Sequence, residues 1–179
     1  MKDEDMKTTG PSAAAPGQGT LHLADLLDHA LKDMFYAEKK ILKALPKMIK
    51  AATEPALKAG LSAHRDETTQ QIGLLEDIFA VMDKRPKAER CDAIEGILEE
   101  SDTLLEDFKG SAALDAAIIF SAQAVEHYEI TRYGSMHAFA TELGLTKAAK
   151  MLATILEQEK AANEMLTKLA EARVNAAAA

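Results

Sequence analysis

The chain has 179 residues, room for one domain with a real core, and 47% hydrophobic content with which to build it. Much of that content is Ala and Leu, good helix formers, while only 4% is aromatic and β-branched residues are sparse, which argues against a sheet. A net charge of −8 argues against nucleic acid as a partner, and the single cysteine, Cys91, cannot close an internal disulfide, which suits a reducing compartment.

The chain opens MKDEDMKTTG, with no apolar core of a signal peptide, and no run of about 20 apolar residues exists to span a membrane. A cytoplasmic location is therefore expected. Residues 1–19 end in PSAAAPGQG and read as a disordered tail, ahead of a helical domain over residues 20–175. A first helix is predicted from about Thr20 to Ala52, its stripe being Leu27, Leu31, Met34, Phe35, Ile41, Leu42 and Leu45, with Pro46 expected to kink it. A second starts near Pro55, capped by Thr53 or Glu54, and runs to about Met82. Residues 92–108 form a shorter amphipathic helix, whose Glu95, Glu99, Glu100 and Glu106 read as a solvated face. The third long helix runs from about Ala112 to Leu143, where Gly144 can take the left-handed turn, and the fourth from about Thr146 to Arg173. The last four residues, all Ala, are expected to fray. Two pairs with short turns, separated by roughly 28 residues, give an all-α, ferritin-like four-helix bundle with one long crossover carrying an extra short helix.

Successive helical residues lie about 100° apart around the axis. Glu38 therefore shares the face of Leu31, Met34, Ile41 and Leu45, in the middle of an apolar stripe. Glu67 shares a face with Ala63, Leu74 and Ile78; Glu126 and Glu129 flank the direction of Ala122, Ile130 and Tyr133; Glu159 lies with Leu152, Ile155 and Leu166. Glu38 stands about 15 residues before the first turn and Glu67 about 14 after it, and Glu129 and Glu159 are similarly balanced about Gly144. The five carboxylates are thus expected in one layer of the core. One such Glu alone is ordinarily a boundary residue reaching for water. Five need counter-charge, and the nearby Lys and Arg residues project away from them. Unpaired buried carboxylates cost several kcal/mol each. Two divalent ions would supply the missing positive charge.

The stretches DMFYAEKKILKALPKM, AHRDETTQQIGLLEDIF, AQAVEHYEITRYG and EKAANEMLTKLA resemble the bacterial YciF/YciE stress-protein family, in order over about residues 20–172. The resemblance implies a ferritin-like fold and a role linked to stress. Across the wider superfamily, which includes the rubrerythrins, the site takes Glu, Glu-x-x-His, Glu and Glu-x-x-His from successive helices. That pattern implies Glu38, Glu67, Glu126 and Glu159 as ligands, Glu67 and Glu159 bridging, Glu38 and Glu126 terminal. Glu129 resembles the second helix-C glutamate of rubrerythrins, free to swing between bound and unbound positions. Both histidines of the pattern are missing, since Gln70 and Ala162 stand in their places. His64, one turn before Glu67, is the candidate substitute; its alternative role is packing or hydrogen bonding beside the site.

Carboxylate oxygens with little nitrogen suit Fe(II) or Mn. The expected cofactor is two Fe per chain, alternatively Mn, and the expected chemistry is Fe(II) oxidation by peroxide or O2. Tyr133, one turn beyond Glu129, is expected either to pack in the core or to serve the site as a relay. The alternative function is a stress-induced structural or binding protein whose metal only stabilises the bundle. A homodimer is expected, and an electron-donor partner is left open.

Overall fold

The computed structural model describes residues 20–179, so the tail expected over residues 1–19 lies outside the described residues. Helices α1 (Leu23–Ala51), α2 (Pro55–Val81), α4 (Leu114–Glu142) and α5 (Thr146–Leu169) are the four long rods, and α3 (Asp92–Asp107) lies in the crossover. No strand occurs among the described residues. Helix α1 packs on α2 and α4, and α5 packs on α4 and α2, which closes a ring around one core. Helix α3 covers the α1–α4 seam. The one-crossover bundle expected from the sequence is the fold observed.

The crossover is held by charge and capping. Lys84 meets Asp28 at 2.5 Å where α2 ends beside the start of α1. Glu95 on α3 then pairs with Lys40 at 2.6 Å, and Asp102 with Lys47 at 2.8 Å, so α3 runs parallel to α1 and returns the chain to its far end. At that end Asp115, in the first turn of α4, accepts from Thr53 N, Thr53 Oγ1 and Glu54 N at 2.5–2.9 Å. Thr53 is thereby committed to Asp115, and the weak cap on α2 comes from Glu54. Gly144 takes φ +70° between α4 and α5, as a glycine after a helix end can.

Helix α1 runs through Pro46 to Ala51, the end expected of it. One boundary differs from expectation: α5 passes through a π-helical turn, Ala170–Val174, into a last short helix α6, Asn175–Ala178, where fraying was expected. Val174 is buried there and Arg173 approaches Glu54 at 3.7 Å, so the terminal alanines extend an anchored helix.

Candidate metal centre

Each long helix sends a polar side chain into the middle of the core. Glu38 from α1, Glu126 and Glu129 from α4, and Glu159 from α5 are at most 2% exposed. Helix α2 differs from expectation. Its buried stripe is Leu57, Leu61, His64, Thr68, Gln71, Leu75 and Ile78, which brings His64 and Gln71 to the core. Glu67 is only half-buried at the margin of this stripe, and Gln70 is exposed. The Glu67 direction read from Ala63 and Leu74 was misleading because Ala63 faces solvent and Leu74 is only partly covered.

Ligand atoms of His64, Glu126, Glu129 and Glu159 all lie within 4.8 Å of one another, close enough for one metal ion to bind all four. His64 Nε2 stands 3.4 Å from Glu126 Oε1. Gln71 Nε2 donates to Glu159 Oε1 at 2.5 Å and to Gln158 Oε1 at 3.2 Å, fixing the Glu159 carboxylate from α2. The Tyr133 hydroxyl, fully buried, donates to Glu38 Oε1. Thus Tyr133 touches a site residue as well as packing in the core. No Lys or Arg among the described residues pairs with Glu38, Glu126, Glu129 or Glu159.

The electrostatics follow from that isolation. Burial first, then the charge of Glu159, pushes Glu38 up to about 8. Burial also pushes Glu126 to about 8 and, with Glu126 next to it, Glu159 to about 10. Glu129 is held well above the carboxylate range by burial and by Glu38, Glu159 and Glu126 around it. His64, buried, is lowered to about 4 and is a neutral imidazole near pH 7. The cluster therefore holds protons where a cation could stand in their place.

The donor set fits a metal. Glu38 Oε2, Glu126 Oε2, Glu159 Oε2, both oxygens of Glu129, both nitrogens of His64 and Gln71 Oε1 are buried with no hydrogen-bond partner. Buried polar atoms in folded proteins are nearly always satisfied, so these eight unsatisfied atoms, four of whose residues converge, call for a ligand. Oxygen donors with one imidazole suit Fe(II), Mn(II) or another divalent transition ion.

Sequence reasoning reached Glu38, Glu126, Glu129, Glu159 and His64 but missed Gln71. A signal for it existed: the ladder Leu57, Leu61, His64, Thr68, Gln71, Leu75, Ile78 alternates steps of four and three residues. Cys91 contacts Tyr128 Oη at 3.0 Å, away from the cluster.

Residues 22–179 match the family described as Domain of unknown function (DUF892). The chain is 38% identical over 154 residues to Protein YciF of Escherichia coli K12, covering 86% of this chain and 93% of that protein. The crystal structure of the E. coli stress protein YciF superposes with a TM-score of 0.83, covering 87% of this chain and 99% of that one. YcfI of Rhodopseudomonas palustris, described as a structural protein, is 46% identical with a TM-score of 0.80, covering 82% and 94% of the two chains. A Xanthomonas campestris protein at 21% identity and TM-score 0.68, covering 87% and 94%, shares the fold.

Proposed function

The chain belongs to the DUF892 family, whose relatives include the E. coli stress protein YciF, and from that premise we propose that it is a stress-related protein with a two-metal site in its core, where Fe(II) is oxidised by peroxide or O2. One observation carries this reading: the buried carboxyls of Glu126, Glu129 and Glu159 converge with a neutral imidazole, Glu38 is buried in the same core, and these groups carry unsatisfied polar atoms with no basic side chain to neutralise them. A pair of Fe ions, alternatively Mn, would supply one-electron redox chemistry in a site closed to bulk water. Glu38, Glu126, Glu129, Glu159 and His64 are the residues that would hold them. Glu67, half-buried, is left at the rim, and its charge is felt at Glu126 and Glu159. Gln71 would orient Glu159, and Tyr133 would hold Glu38. A homodimer, a cytoplasmic location and an electron-supplying partner belong to the same proposal.

Anaerobic apoprotein mixed with Fe(II) and peroxide is expected to consume Fe(II) faster than buffer does, and a Glu126→Ala, Glu159→Ala variant is expected to lose the difference. Equal rates for protein and buffer would refute the redox role.

A second reading is that the metal only stabilises a structural or binding protein. Two observations favour it: the relative from R. palustris is described as structural, and neither helix supplies the histidine usual at a redox site, since Gln70 is exposed and position 162 is alanine. A redox-inert ion held tightly without turnover would decide for it.

A further inference from the structure

The polar groups of the core are not equally shared between two ion positions. His64, Glu126, Glu129 and Glu159 converge within 4.8 Å, while Glu38 stands outside that group. Glu38 also has one oxygen already engaged, because Tyr133 donates to Oε1 and only Oε2 is free. Glu129 is the carboxylate with neither oxygen hydrogen-bonded, and Glu38 is among the groups whose charge acts on it. His64 is 5% exposed, and both its nitrogens are unpartnered. A buried imidazole with no partner, aimed into a carboxylate cluster, is a waiting ligand rather than a packing residue.

Resting on the metal-binding reading, we propose that the site is two unequal ion positions sharing Glu129: an inner position built by His64, Glu126, Glu129 and Glu159, which fills first, and an outer position at Glu38, which fills second. The order follows from ligand count. The inner position offers four protein groups already brought together, one of them nitrogen. The outer one offers Glu38 Oε2 and whatever oxygen of Glu129 the first ion leaves free. An ion entering second also meets the charge of the first, and like charges in a buried site repel strongly. The bridging role then falls to Glu129, in place of the Glu67 and Glu159 pair that the superfamily pattern implies. Glu67 is at the margin, and Glu159 is tied to Gln71 through one oxygen.

The test is an anaerobic Mn(II) titration of the full chain followed by electron paramagnetic resonance and by calorimetry, with far-UV circular dichroism to show that each variant is folded. The first equivalent is expected to give the hyperfine-split signal of an isolated bound Mn(II). The second should bind about tenfold or more weakly and broaden that signal by coupling. Glu38→Gln is expected to keep the first ion and lose the second. His64→Gln is expected to weaken the first about tenfold or more, as removal of a ligand does. Two ions of equal affinity, only one ion in the unaltered protein, or loss of both ions in folded Glu38→Gln would each overturn the unequal arrangement while leaving metal binding intact. No bound Mn(II) at all would overturn the metal-binding reading and this arrangement together.

Discussion

On Glu38 a buried phenol rests against one carboxylate oxygen while the other faces the core unpartnered. Tyr133→Phe deletes that hydroxyl and leaves both oxygens unsatisfied. The loss of a hydrogen bond to a buried group of this kind costs about 1–3 kcal/mol. Urea denaturation of metal-free protein should show that loss, and unchanged stability would mean that the hydroxyl contributes nothing. Protonation of the cluster gives a pH dependence of definite sign. Glu38 and Glu126 bind protons more tightly folded than unfolded, at about 8 against the ordinary 4.5, and Glu159 at about 10. Their stabilisation of the metal-free fold is fully present below 4.5 and is lost as the pH rises through those folded values. His64 acts oppositely, but only between about 4 and its ordinary 6.5. The melting temperature in chelator is therefore expected to fall from pH 6.5 to 8, and a flat or rising curve would contradict it. The carboxylates on α1, α4 and α5 were legible because each interrupts an apolar stripe at helical spacing. Helix α2 was harder to read. Its polar core residues, His64, Thr68 and Gln71, fill the middle of the stripe, so the apolar pattern breaks where the site begins.

Among the elements, the join between α1, α2 and α4 depends on Asp115. This one carboxylate accepts from two backbone amides and a hydroxyl across more than sixty residues of chain. Asp115→Ala leaves Thr53 N and Glu54 N without that acceptor, with an expected cost of about 1–3 kcal/mol. Because Asp115 lies a full three turns from Glu126 along α4, metal stoichiometry should not change. Denaturation together with a metal titration checks both halves, and a variant as stable as the parent would show that the join is held elsewhere. The crossover helix was legible from its amphipathic spacing, and its salt bridges to Lys40 and Lys47 explain why a Glu- and Asp-rich face lies along a Lys-rich one. What it conceals was not legible. Helix α3 covers the α1–α4 seam, and the first half of α4 is buried at neighbouring positions, including Leu114, Ile118, Ile119 and Ser121, which blurs the single stripe that a surface helix would show. At the C-terminus composition alone reads as fraying, whereas the helical path continues beyond a buried Val174 and an Arg173 that approaches Glu54.

Over the whole molecule, the four-helix ring is on this proposal a container whose centre would be more stable with cations bound. Buried carboxyls with unsatisfied oxygens cost stability that an apolar core would not, and a metal restricted to the native state would return stability that rises with the logarithm of its concentration over its dissociation constant. Saturation at about one hundred times the dissociation constant would add about 2.7 kcal/mol. No helix among the described residues is long and apolar enough to cross a membrane. The chain order of the helices, the crossover and four of the five acids expected in the core were readable from periodicity and from residue counts about the turns. The rotation of α2 was not, because it is set by packing against α1 and α5 together. Elemental analysis tests the metal centre most directly, with purified protein and a Glu126→Ala, Glu159→Ala variant compared after anaerobic loading with Fe(II) or Mn(II) and gel filtration. About two ions per chain in the parent, as bridged sites hold, and a loss in the folded variant are predicted. Parent and variant equally free of metal would contradict the assignment and leave the buried acids as a protonated core.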